Sequence, residues 1–249
     1  MERWFNKVAV VTGASTGIGA IISEGLVKAG VNVVGLARKV DKLEEIKTRL
    51  KNEKGKFYSI QTDVTKEDEI LRAFRWIEKE LGGVDILVNN AGVILNEPII
   101  DGGTEGFKTI LDVNVLAVAI CTREATKSMR NRKVPGHVVI INSFAGHYAE
   151  SIKVPVSLYC ASKYAITGMT ESLRNELAAA KANIKVTSIS PAAVRTGMLL
   201  NAGIPEAVIN QISILETKDV LDAVIYVLGT PPNVQVNELT LTSLGLPHS

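Results

Sequence analysis

Lys7-Val8-Ala9-Val10-Val11-Thr12-Gly13-Ala14-Ser15-Thr16-Gly17-Ile18-Gly19 is the stretch that decides the fold. Its first six residues form a short β-branched run, which predicts a buried strand. Glycines follow at once, and a helix-period segment then runs to about Ala29 and closes at Gly30. Glycines between a strand and a helix allow a tight turn and a close backbone approach. The start of the helix then offers unpaired N–H groups to an anion.

The same alternation continues outward from that stretch. Strands are predicted over residues 32–37, 56–62, 85–88, 136–142, 183–189 and 234–242. Between them lie helical segments. Asp41-Lys42-Leu43-Glu44 reads as a capping box, and Thr65-Lys66-Glu67-Asp68 as the cap of a helix reaching Leu81 before Gly82-Gly83. A long helical stretch from Thr104 to Arg132 is expected to break near Asn114. A helix from Tyr159 reaches about Ala182, residues 191–210 read as loop with some helix, and another helix begins at Thr217. Strands alternating with helices predict an α/β fold of Rossmann type: a doubly wound parallel sheet of about seven strands with helices on both faces. The whole chain, residues 1–249, is expected to form one domain.

Composition narrows the function classes. The chain of 249 residues is 46% hydrophobic and 22% charged, as a soluble globular protein is. A net charge of +2 and the lack of a basic run argue against a nucleic-acid partner. No apolar run is long enough for membrane insertion, and no apolar segment precedes the first strand, so no signal peptide is expected. Cys121 and Cys160 are isolated, which predicts neither a disulfide framework nor a metal site. A cytoplasmic setting follows as the default.

In doubly wound sheets ligands sit at the carboxyl ends of the strands. Gly13, Gly17 and Gly19 lie there, spaced G-x-x-x-G-x-G rather than G-x-G-x-x-G, and their place after the first strand predicts a dinucleotide. An acid at the end of the second strand would hold the ribose hydroxyl of NAD. Ala37-Arg38-Lys39 stands there instead, and the nearest acid, Asp41, is assigned to the helix cap. Two cations suit a 2′-phosphate, so NADP is predicted. Asp63 and Val64, ending the third strand, are placed to meet the adenine.

Tyr159 and Lys163 are four apart in Tyr159-Cys160-Ala161-Ser162-Lys163. On a helix that puts them on one face, about 6 Å apart along the axis. A cation about 4 Å away at an effective dielectric of about 20 favours the phenolate by about 4 kcal/mol. That would bring a phenol from its usual pKa of about 10 to roughly 7, within reach of acid/base work.

The joint pattern resembles the short-chain dehydrogenase/reductase family. It consists of Thr12 to Gly19 (T-G-A-S-T-G-I-G, with Ser15, Thr16 and Ile18), Asp63-Val64, Asn89-Asn90-Ala91-Gly92, Asn114, Ser143, Tyr159 and Lys163, and Pro191 to Thr196. The match spans essentially the whole chain. Within the family it resembles the compact NADP-preferring members acting on lipophilic alcohols and ketones, such as insect farnesol dehydrogenases and their ketosteroid-reducing relatives.

The resemblance implies roles. Tyr159 is the general acid/base, Lys163 lowers its pKa and binds the nicotinamide ribose, Ser143 holds the substrate oxygen, and Asn114 holds a water leading to solvent. It places Asn90, Ala91, Gly92, Pro191 and Thr196 in the cofactor site beside the glycine turn, and it implies a homodimer or homotetramer. Two departures stand out. Ala192 replaces the usual glycine after Pro191, which predicts a shifted backbone, and the gap between Ser143 and Tyr159 is longer than usual.

The expected reaction is interconversion of a lipophilic alcohol (isoprenoid, retinoid or steroid-like) and its carbonyl. Phe144, Tyr148, Ile152, Val154, Leu158, Val194, Met198, Leu199 and Ile204 could wall an apolar pocket or, in part, belong to the core. Lys153 and Arg195 leave an anionic head group open. A 3-oxoacyl thioester reductase and a non-catalytic NADP-binding scaffold are the rival readings. Trp4, Trp76, Cys121 and Cys160 read as packing residues, His147 as a pocket or loop residue, and His137 and His248 as unconnected to any site.

Overall fold

In the computed structural model, residues 1–201, 203, 205–209 and 213–244 are described, which leaves Ile204 and His248 outside the described residues. The predicted alternation is present. Strands β1 (Val8–Thr12), β2 (Asn32–Ala37), β3 (Phe57–Gln61), β4 (Ile86–Asn89), β5 (Gly136–Ile141), β6 (Ile184–Pro191) and β7 (Glu238–Leu241) form one parallel sheet in the order β3-β2-β1-β4-β5-β6-β7. The last strand is shorter than the pattern over 234–242 suggested.

Because strand side chains alternate between faces, one strand feeds two cores. Val8 and Val10 pack under α3 (Glu67–Leu81), α5 (Ala117–Arg132) and α6 (Tyr159–Ala179), through Ile70, Met129 and Ile166 among others. Ala9 and Val11 face α1 (Gly17–Lys28), α2 (Val40–Arg49) and α9 (Thr217–Gly229), through Leu26, Ile46 and Val224. All five β1 residues are buried. That explains why the strand reads as an unbroken apolar run.

The order reverses between β1 and β4, so a crevice opens at their carboxyl ends. The far end of the sheet is fastened from the N-terminus. Arg3 and Trp4 both donate to the Leu228 carbonyl at the end of α9, at 2.7 and 2.8 Å. Trp4 is the buried packing residue expected, whereas Trp76 is partly exposed beside Tyr58.

The break near Asn114 is a change of helix type. Between α4 (Thr104–Leu111) and α5, residues Asp112–Leu116 form a wide turn in which the Ala117 N–H bonds to the Asp112 carbonyl. This is the π form, one residue more per turn than the α-helix around it. Two short helices, α7 (Gly197–Asn201) and α8 (Glu206–Ile209), follow β6.

Both expected caps need correction. Lys39 occupies the cap position of α2 without a side-chain bond, and Asp41 lies inside the first turn. Lys66, not Thr65, precedes α3. The Thr65 N–H and hydroxyl instead donate to Asp63 at 3.0 and 2.8 Å, so the Asx turn wins Thr65 from the helix.

Candidate active site

The glycine turn is built against the end of β4. Gly13 has φ +66°, and a Cβ there would meet Ala91 Cα and Asn90 Nδ2 at 3.0 Å. Asn90 Nδ2 donates to the Thr12 carbonyl at 2.9 Å, and Thr12 Oγ1 accepts from the N–H groups of Asn90 and Ala91 at 3.0 Å each. The amide of Asn90 is thus spent on holding the turn. At Gly19 a Cβ would stand 2.3 Å from the Gly13 carbonyl oxygen, so no side chain fits.

Those contacts leave a cradle at the start of α1. Thr16 makes no side-chain bond to the first turn, and no acid lies there. The N–H groups at that end therefore face the crevice without an intrahelical partner, as an anion site requires. Thr196 closes the other side: a Cβ on Gly17 would lie 3.3 Å from Thr196 Cγ2. Arg38 and Lys39 stand exposed beside it, and neither forms an ion pair among the described residues. Burial raises the Asp63 carboxyl, but the two bonds from Thr65 and the charges of Arg38 and Lys66 outweigh it and hold it below the usual range. The residues present thus fit a dinucleotide carrying an extra phosphate at its adenosine end.

Further along the rim, Ser143 follows the end of β5 and Tyr159 is the first residue of α6. The Ser143 hydroxyl, which accepts from the Ala145 N–H at 3.1 Å, lies near enough to the Tyr159 phenol to lower its pKa. Lys163 is buried one turn on, its Nζ 5.7 Å from the centre of the Tyr159 ring. That Nζ donates to the Ile141 carbonyl at 3.1 Å. Asn114 is 1% exposed and fully engaged. It clamps both backbone groups of Val93 at 2.8 and 2.9 Å and donates to Ser162 Oγ at 3.0 Å. Ser162 in turn donates to the carbonyl of Tyr159 at 2.6 Å.

The electrostatics differ from the sequence expectation. Burial raises the Tyr159 phenol above its ordinary value, and the nearby Ser143 hydroxyl only partly opposes this. Burial also lowers Lys163 to about 8. The ammonium therefore does not bring the phenol to neutrality in this state. Both groups are pushed toward their uncharged forms, because a low-dielectric surrounding penalises each charge.

The structure places the other expected residues as follows. Pro191 ends β6, and Ala192 is not among the positive-φ residues, its N–H bonded to Leu241 O at 2.8 Å, so no left-handed angle there calls for a glycine. Phe144 and Val194 are core, not wall. Tyr148 stacks on Phe144 with ring centres 4.6 Å apart and is 41% exposed. Met198 reaches over Gly92. Cys121 is buried, and burial pushes its thiol up to about 12; Cys160 is half-buried. Asn114, Ser143, Tyr159 and Lys163 thus come together at the rim.

Two features escaped the sequence. Ser162 links Asn114 to Tyr159; its place between Tyr159 and Lys163 was the available signal. Ser157, two residues before Tyr159, has a left-handed φ of +52° and donates its N–H to Glu97 O at 2.9 Å. Nothing in a serine marks it for that conformation.

The short chain dehydrogenase family pattern matches residues 7–206. A farnesol dehydrogenase of Aedes aegypti is 48% identical over 98% of this chain and 99% of its own length. Dehydrogenase/reductase SDR family member 11 of Gallus gallus is 45% identical over 97% of each chain. Among solved structures, an alcohol dehydrogenase from Thermococcus sibiricus in complex with 5-hydroxy-NADP superposes with a TM-score of 0.83 at 26% identity, covering 96% of this chain and 97% of that one.

Proposed function

This chain belongs to the short chain dehydrogenase family, and from that premise we propose an NADP(H)-dependent oxidoreductase of one domain that interconverts a lipophilic alcohol and its carbonyl. The observation that carries the proposal is the meeting of Ser143, Tyr159, Lys163 and Asn114 on the rim that also holds the glycine cradle.

When bound, the nicotinamide takes or supplies the hydride. The protein does the rest. Ser143 and the Tyr159 hydroxyl hold the substrate oxygen between them. In oxidation Tyr159 accepts the alcohol proton; in reduction it donates a proton to the carbonyl oxygen. Lys163, uncharged above about pH 8, takes part in passing the proton on. The wide turn at Asp112–Leu116 takes backbone carbonyls off the regular ladder. We assign to that turn the water that leads outward. Arg38 and Lys39 would grip the 2′-phosphate, and the α1 start the pyrophosphate. Relatives solved with NADP support the same cofactor.

An apolar substrate is supported by local charge use. Lys153 Nζ donates to Glu150 O at 2.7 Å, and Arg195 pairs with Glu216 at 2.8 Å. Both cations that might have gripped an anionic head are engaged locally. Tyr148, Leu158 and Met198 remain as partly exposed apolar wall. The farnesol dehydrogenase relative points the same way. No helix among the described residues is long and apolar enough to cross a membrane. The proposal includes a cytoplasmic site of action. It also includes a homodimer or homotetramer, consistent with exposed Leu111, Leu116 and Tyr164 on α4, the wide turn and α6.

The test is NADPH oxidation and NADP reduction against isoprenoid, retinoid and steroid alcohols and carbonyls, with 3-oxoacyl thioesters as the rival. Turnover of thioesters alone would refute the substrate class. Tyr159→Phe should bind NADPH and lose turnover by about 10²–10⁴-fold; an unchanged rate would refute the mechanism.

A further inference from the structure

The turn that presents Ser143 is held from two sides. On one side α6 holds it: Thr167 Oγ1 donates to the Gly146 carbonyl at 3.0 Å, and the Tyr164 hydroxyl to the His147 carbonyl at 2.5 Å. On the other side a single ring reaches the sheet. His147 Nε2 lies 3.1 Å from Ser190 Oγ and 3.5 Å from Glu238 Oε2. Ser190 is buried and directly precedes Pro191; Glu238 opens β7, opposite Ser188.

Serine, histidine and glutamate together might suggest a hydrolytic triad, but the geometry excludes it. Both partners face the same ring nitrogen, whereas a relay needs the acid on the other one. Ser190 is also closed to solvent. Ser190 Oγ is the hydrogen-bond partner of Nε2; the Glu238 carboxylate, which can only accept, faces the same nitrogen at 3.5 Å, so the proton is assigned to Nε2. The other Glu238 oxygen, Oε1, is buried and has no hydrogen-bond partner, so His147 is the group this acid faces.

Resting on the reading of Ser143 as the holder of the substrate oxygen, we propose that His147 is a positioning residue. Its Nε2–H, bonded to Ser190 and facing the Glu238 carboxylate, fixes the Ser143 turn to the strand end that carries Pro191. The oxygen-holding hydroxyl and the nicotinamide side of the crevice are thereby set at one distance. Catalysis is sensitive to such placement, since a misplacement of about 1 Å can cost about a hundredfold in rate.

The test is a set of variants compared for kcat, KM, NADPH dissociation constant and melting temperature. His147→Ala should lower kcat by about tenfold to a hundredfold, with NADPH affinity held within about twofold. His147→Gln can place an amide N–H near the Nε2 position and should recover most of kcat. His147→Asn places its amide near Nδ1 and should not. Glu238→Gln, a milder change, should lower kcat at unchanged NADPH affinity.

A parental kcat in His147→Ala overturns the proposal, as does a Gln variant no faster than Ala at equal melting temperature. If His147→Ala does not fold, a parental kcat in Glu238→Gln has the same force. Tyr159→Phe is run alongside. Its inactivity together with an unimpaired His147→Ala overturns the positioning role alone, whereas its full activity overturns the reading of the site.

Discussion

Lys163 Nζ stands 5.7 Å from the centre of the Tyr159 ring but gives its hydrogen bond to the Ile141 carbonyl at 3.1 Å. The two groups share one buried face of α6 without sharing a proton. Burial raises the phenol and lowers the amine to about 8. Each shift comes first from burial, not from the other group.

The direction of reaction should therefore follow pH. At neutral pH the phenol keeps its proton, ready to give to a carbonyl oxygen. Carbonyl reduction should hold through neutral pH, while alcohol oxidation, which needs the phenolate, should climb on the alkaline side. Measuring kcat/KM in both directions from acid to alkaline pH checks this. Oxidation that declines as pH rises would contradict it.

Asn114→Ala should damage turnover more than cofactor binding. It leaves both backbone groups of Val93 without their partner and removes the donor to the Ser162 hydroxyl. Orphaned buried groups cost about 1–3 kcal/mol. Urea denaturation should show that loss, and NADPH fluorescence should show near-parental affinity.

Arg38→Asp should reverse the nucleotide preference. Arg38 has no ion-pair partner among the described residues, so its removal breaks no ion pair. An acid there can accept from a ribose hydroxyl and repels a phosphate. NADP affinity relative to NAD should fall by at least about tenfold. Tighter NAD than NADP binding in the parent would remove the basis of the assignment.

His137 should make the fold sensitive to acid. It is buried on β5, its Nε2 2.9 Å from Thr187 Oγ1, whose hydroxyl already donates to Val236 O. The ring therefore donates from Nε2 and is neutral. Burial first, then the charges of Lys185 and Arg3, lower its pKa from 6.5 to about 3. Below 6.5 the unfolded chain takes a proton that the folded chain refuses until about 3. Stability should thus fall across that window, by on the order of 2–3 kcal/mol at pH 4.5. His137→Leu should flatten the dependence in urea melts at pH 7 and 4.5.

How far the sequence reached depended on the range of the physics involved. The turn at Gly13 to Gly19 was legible because only glycine tolerates both its backbone angle and its crowding. Tyr159 and Lys163 were legible because helix geometry alone places them on one face. The acidity of the phenol was not, since spacing fixes neither the burial nor the direction in which the lysine points. Thr65 and Asp41 carried the letters of caps, but Asp63 took the Thr65 donors. Val194 looked like pocket wall, yet its bridge to Leu215 draws it into the core. The left-handed angle of Ser157 leaves no compositional trace.

The extra residue in the turn at Asp112–Leu116 also sets the phase of everything downstream of it. Deleting one residue there would let a regular helix form with the segment beyond still in phase, whereas regular α-helical pitch through the same residues would rotate that segment by about 100°. Cys121, Ala125 and Met129, which now face the sheet, would swing aside, and polar neighbours would come inward. A shortened loop would be a local lesion. Regular pitch through all five residues of this turn would put the whole of α5 out of step with the strands it covers.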